Sequence, residues 1–163
     1  MVDSTKAHYP LACRLIRLIA YFLTGAILAQ AFSCLIVYFS IYDSQAAGML
    51  AHLLIQHLSY YLLGGAFIIL SLSNVLIKRG LFYMKGIRIP ALTLIVTIAA
   101  TSFLLIPRMD YLRETALLDG MPVMLSPFAN YFLILNSLTL LLLIVQIIFS
   151  SMMAWRLSEP KLT

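Results

Sequence analysis

Two histidines and one run of charges are where this chain gathers side chains that could move a proton, hold a metal or grip an ion. His52 and His57 stand five residues apart. On a helix that separation turns them about 140° from one another, so the two cannot bind one ion together. A membrane b-type haem takes axial ligands that face each other from two helices, and the only other histidine, His8, is in the N-terminal tail. The pair is therefore read as two histidines at headgroup depth. No cofactor or metal is expected, and haem at His52 or His57 is the weaker alternative.

The charged run is Arg108, Asp110, Arg113 and Glu114. On a helix Asp110 could pair with Arg113 or Glu114 with its neighbours, which would make the run a helix cap and headgroup anchor. Its density also makes it the best candidate for a patch that docks a periplasmic domain or a partner subunit. The sequence has no evident nucleophile and base, no carboxylate dyad and no glycine-rich phosphate loop, so the expectation is a protein that is not an enzyme.

The remaining chemistry is uncharged. Thr93, Thr97 and Thr101 recur at every fourth position, with Ser102 beside them. Such a stripe either lines a polar pathway or lets helices approach closely while each hydroxyl bonds back to its own backbone. Gln30, Asn130, Asn136 and Gln146 are the strongest polar residues within apolar stretches. They must face a helix partner or a pathway, because an unsatisfied amide in hydrocarbon is costly. Packing is the favoured reading of both groups.

The elements that position these residues follow from composition. Of 163 residues, 63% are hydrophobic and 10% are charged, with mean hydropathy +1.00. A soluble domain has roughly 25% charged residues, so a soluble enzyme, a disordered tail and a disulfide-stapled secreted module are excluded. About 20 apolar residues cross a bilayer, and four such stretches are predicted, at 18–42, 52–77, 89–106 and 127–155. The second is preceded by a polar break at Asp43-Ser44-Gln45 and either continues an interfacial helical turn or bends near Gly64-Gly65. Pro90 suits a first helical position. Pro107 is expected to stop the third span, leaving 108–118 as a short helix on the membrane surface.

Charge then orients the whole. Lys6, Arg14, Arg17, Lys78, Arg79, Lys85, Arg88, Arg156 and Lys161 fall on one side, and only Arg108 and Arg113 on the other. The positive-inside rule places both termini in the cytoplasm. The expected fold is a single-domain, all-α, integral membrane four-helix bundle with a surface helix in its third, outer loop. No Lys/Arg run interleaves with aromatics as a nucleic-acid site would, so the expected partners are membrane lipids and other membrane subunits or further copies of the chain.

At the same loop, Pro107, Met109, Leu112 and Arg113 form a P-x-M-x-x-L-R pattern, and 42–48 reads Tyr-Asp-Ser-Gln-Ala-Ala-Gly. These stretches resemble a bacterial four-helix membrane family of unknown function related to the eukaryotic transmembrane protein 205. The likeness would run over about 18–155. The family's phenylalanine-and-histidine start to the fourth helix is here Phe128 without a histidine, while Asn136 matches a family asparagine. The resemblance implies a four-helix membrane fold and no established activity. The functional expectation is a structural or accessory subunit of a larger complex in a bacterial inner membrane. The alternative is a small oligomeric transporter or channel for an uncharged or metal-linked solute.

Overall fold

The computed structural model describes residues 10–158, all of whose regular structure is helical. Helix α1 spans Pro10–Ser40 and α2 spans Ser44–Lys78. A 3₁₀ turn at Phe82–Met84 leads into α3, Lys85–Ala99, which passes through a π-helical segment, Ala100–Leu105, directly into α4, Ile106–Leu118. A second 3₁₀ turn, Val123–Leu125, precedes α5, Ala129–Ser158. Four stretches are long and apolar enough to cross a membrane: Leu11–Ser40, Gln45–Lys78, Phe82–Leu118 and Ala129–Ser158.

The elements differ from the sequence expectation in length more than in number. Each of the four stretches has 30 to 37 residues, or about 45–55 Å against a hydrocarbon core of about 30 Å, so the rods extend past the segments that hydropathy alone marks. Helix α2 is unbroken at Gly64-Gly65. It starts where the Asp43 carboxylate accepts a hydrogen bond from the Gln45 N–H at 2.9 Å, an N-cap that satisfies a donor the helix leaves unpaired. Its other end closes at Gly80, whose φ of +94° is open to glycine. There Leu81 N–H bonds Leu76 O and Gly80 N–H bonds Ile77 O, a Schellman closure. Gly120, with φ of +72°, ends α4 through the matching bonds to Ala116 and Leu117.

Neither proline acts as the sequence predicts. Pro90 is inside α3, because the helix starts at Lys85. Proline has no N–H to give the carbonyl four residues earlier, here Gly86, and its ring crowds that carbonyl. Arg156 of α5 takes the vacant role: its Nη1 donates to Gly86 O at 2.6 Å. A side chain at position 86 would crowd this contact, since a Cβ there would lie 3.1 Å from Nη1. Pro107 likewise fails to stop its helix. The turn before it widens, and Ile106 N–H reaches back five residues to Thr101 O, which gives the proline ring the room that a regular α-turn denies it.

Helix α1 packs on α2, α2 on α3, α3 on α5, and α5 back on α1. This closed ring of four has Ile16, Leu23, Ile27, Ala66, Ile69, Leu94, Ile98 and Met153 at its centre. Outside it is apolar: Phe22, Phe39, Leu104, Ile134 and Ile148 are among many large exposed side chains, while Gln30, Ser59, Ser73, Thr101, Gln146 and Ser150 are buried. Exterior oil around a partly polar interior is how a bundle solvated by lipid differs from one solvated by water.

The Gly86–Pro90–Arg156 arrangement yields a prediction. Arg156→Met should cost about 1–2 kcal/mol by orphaning the Gly86 carbonyl. In a Pro90→Ala background the cost should largely vanish, because the alanine supplies the missing N–H. Thermal unfolding of the four proteins in detergent measures the coupling; additive losses would refute the pairing.

Candidate functional site

The densest polar cluster lies at the end of the bundle away from Lys78 and Arg88. Asp110 on α4 anchors it. His52 Nδ1 of α2 lies 2.8 Å from Asp110 Oδ1, and Arg113 Nη1 donates to the same oxygen at 3.2 Å. A carboxylate only accepts, so His52 donates from Nδ1. His52 is 3% exposed and Arg113 4%, while the Asp110 side chain keeps 38% of its surface.

Arg113 lies between α2 and α5 and feels Tyr38 of α1 electrostatically. Its guanidinium sits 5.4 Å from the centre of the Phe132 ring of α5, a cation–π distance. On the α2 side it lies against Gly48: a Cβ there would come within 2.8 Å of Nη2 and 3.7 Å of the Tyr38 hydroxyl of α1. Glycine is what lets the guanidinium lie flat against the α2 backbone. Arg113 Nε is buried without a hydrogen bond, so Asp110 and Phe132 carry the charge compensation.

The charged run thus divides. Asp110 and Arg113 turn inward, and burial removes Arg113 from any surface patch. Arg108 and Glu114 stay exposed. Arg108 lies 5.8 Å above the ring of Tyr111 and 6.0 Å above that of Tyr131, tyrosines that are 59% and 43% exposed. The segment 108–118 is helical, but it continues the third rod and does not stand apart, with Met109, Leu112, Arg113 and Ala116 packed inward. Three of the four motif residues, Met109, Leu112 and Arg113, are this buried face. The two histidines part company: His57 is exposed, with Nδ1 3.0 Å from its own helix's Leu53 O. Among the described residues, no three His, Cys, Asp or Glu side chains are placed to hold a metal ion.

Within the bundle, the threonine stripe bonds to itself. Thr93 donates to Ile89 O, Thr97 to Thr93 O and Thr101 to Thr97 O, at 2.9–3.0 Å. Gln146 Nε2 donates to Thr101 Oγ1 at a long 3.5 Å. Gln30 Oε1 and Ser102 Oγ are buried and have no partner. Contacts between α1 and α2 near Gly65 and Leu23, between α2 and α4 at His52–Asp110, and between α3 and α5 at Thr101–Gln146 fix the relative heights of the helices. At 1.5 Å per residue, Gln30, Ser59, Ser102 and Gln146 fall in one layer, about 12 Å inward of Asp110. Asn136 is half-buried and Asn130 exposed, and neither side chain makes a hydrogen bond in the described structure.

Sequence reasoning placed Asp110 beside Arg113 and missed His52, Tyr38, Gly48 and Phe132 as their neighbours. It also missed Tyr111 and Tyr131 beneath Arg108. The spacing of Arg108 and Tyr111, three apart on a helix, was the one local signal available. Comparisons with protein-family models, with curated proteins and with solved structures find no match to this chain.

The cluster predicts an asymmetry between its charges. Asp110→Ala leaves a buried guanidinium without its carboxylate and should cost about 3 kcal/mol. Arg113→Ala leaves a carboxylate that water reaches and that His52 still binds, and should cost about 1–2 kcal/mol. The double variant should be no less stable than Asp110→Ala alone. Unfolding in detergent checks the order, and a greater loss for Arg113→Ala would contradict this account.

Proposed function

We propose that the chain is a non-enzymatic accessory subunit of a bacterial inner-membrane complex, with both termini cytoplasmic, that docks its partner through the outer end of the bundle. The observation that carries this reading is Arg108 poised above Tyr111 and Tyr131, two exposed tyrosines from different helices, with Glu114 exposed on the same helix. Arginine and tyrosine are the residue types enriched where partner contacts carry binding energy. Here two packed helices hold them in place, so little conformational entropy is lost on docking. Four apolar helices and a basic end opposite this patch support the membrane and orientation parts of the reading.

Arg108→Glu combined with Tyr131→Ala should release a co-purifying membrane protein in mild detergent while leaving the helix content intact. Wild-type protein that purifies as a clean monomer, with no membrane partner, would defeat the proposal. A reporter fused to the C-terminus should be active only when it functions in the cytoplasm.

A second reading, a small oligomeric pathway for an uncharged or metal-linked solute, is favoured by the buried and unpartnered Gln30 Oε1 and Ser102 Oγ. It requires that Gln30→Leu with Ser102→Ala abolish flux of the solute. Unchanged uptake in that variant would remove it. No cofactor enters either reading, and an absorption spectrum of the purified protein tests haem directly.

A further inference from the structure

The two ends of the bundle treat charge differently. At the outer end Asp110 is paired with Arg113 and with His52. At the opposite end stand Arg14 and Arg17 of α1, Lys78 closing α2, Lys85 and Arg88 opening α3, and Arg156 near the end of α5. The four described carboxylates, Asp43, Asp110, Glu114 and Asp119, all lie at the other end. Neutral groups meet two of these cations: Arg156 donates to a backbone carbonyl and Lys85 Nζ lies 5.0 Å over the Phe82 ring.

The cations of α1 are the best placed to bind something. Arg14 and Arg17 are exposed and three apart, hence on one face. Arg17 is close enough to the Tyr83 hydroxyl to act on it electrostatically, and Cys13 Sγ lies 3.4 Å from that hydroxyl, so Arg17 flanks the seam where α1 meets the α2–α3 link. Arg14 also edges a shallow groove of about 430 Å³ that it lines with Leu11, Ala12, Leu15 and Leu18 of the same helix. Leu11 and Leu18 are 80% and 67% exposed. From Arg88 to Arg108 the third rod rises 20 residues, about 30 Å, the thickness of a hydrocarbon core, which sets the Arg88 level at a headgroup plane. A cationic pair at that plane, over an open leucine face running toward the bilayer centre, matches a phosphate above an acyl chain.

We infer that this exposed face of α1 is a binding site for an anionic phospholipid, with Arg14 and Arg17 holding the headgroup phosphate and Leu15 and Leu18 bearing an acyl chain. The attraction is the electrostatic one that draws basic juxtamembrane groups to anionic lipid, given direction by the apolar groove. It draws on no residue of the outer patch, so it stands or falls apart from the docking proposal.

The test uses the full chain in neutral detergent, incubated with phosphatidylglycerol and phosphatidylcholine of identical acyl chains, with retained lipid read by native mass spectrometry. Phosphatidylglycerol should be retained about tenfold or more over phosphatidylcholine, with the preference falling as salt rises. Arg14→Gln with Arg17→Gln should erase most of that preference, and Arg108→Gln at the other end should leave it intact. Because Arg14 and Arg17 are exposed, the variant should fold, and the salt titration of the wild type is a measurement independent of it. Equal retention of the two lipids, a preference that survives loss of both arginines, or one lost equally on Arg108→Gln would overturn the site. Displacement of phosphatidylglycerol by a short polyglutamate peptide at equal concentration would assign the cations to an acidic protein instead.

Discussion

A helix surrounded by hydrocarbon has no water to complete an unfinished hydrogen bond, and the irregularities of this bundle are arranged around that deficit. An orphaned backbone group costs several kcal/mol in such a setting. At the headgroup level, where water makes the deficit milder, Pro90 withholds an N–H from the Gly86 carbonyl, and an arginine from another helix supplies the donor. Pro107 withholds one a few turns later, and the helix widens so that Ile106 reaches Thr101. The hydroxyls of Thr93, Thr97, Thr101, Ser59 and Thr139 each bond a carbonyl of their own helix. The third rod is therefore continuous across two prolines, and its continuity delivers Asp110 and Arg113 to the far end of the bundle.

That delivery gives the ends of the molecule opposite characters. At one end a single carboxylate ties α2 to α4 directly and, through the arginine it holds, reaches α5 and the neighbourhood of Tyr38 on α1. At the other, the described residues supply cations and no carboxylate. A buried charge is tolerated when it is paired; an exposed one needs only a counterion. The paired end holds its buried cation fixed, whereas the exposed cations of α1 remain open to anions from outside the chain. The same asymmetry divides the protein's surfaces, with a fixed aromatic–arginine patch at one end and an electrostatic surface at the other.

Hydropathy was enough to find four apolar stretches, because lipid-facing helices announce themselves by composition. It underestimated several of their ends, since the turns beyond the hydrocarbon carry polar residues such as Gln45 and Arg113 whose helicity comes from packing. The prolines misled for a related reason. A proline marks a break only when nothing repairs it, and the repairs here are Arg156, 66 positions beyond Pro90 in the chain, and a widened turn that no residue type announces. Asp110 and Arg113 were legible as a local pair. Their junction with His52, 58 positions away, depends on how α2 and α4 are staggered, which periodicity does not encode. Gly48 could be read as small, but only Arg113 lying against it gives the reason.

The placement of the outer cluster also weighs between the two readings of function. Gln30 Oε1 and Ser102 Oγ find no hydrogen-bond partner among the described residues, and Gln30, at 4% exposure, is beyond the reach of a docked partner. Only water or a small solute travelling along the bundle axis could meet them. From the outer side such a traveller would have to pass the His52–Asp110–Arg113 junction, about 12 Å above the layer. Opening that junction would strand Arg113, itself 4% exposed, away from its carboxylate, at a cost approaching that of breaking a buried ion pair. A pathway would therefore work against the contacts that hold the four helices together. The tyrosine-backed Arg108 patch requires no such rearrangement, since it is already exposed and already held, and recognition at that surface leaves the junction beneath it intact.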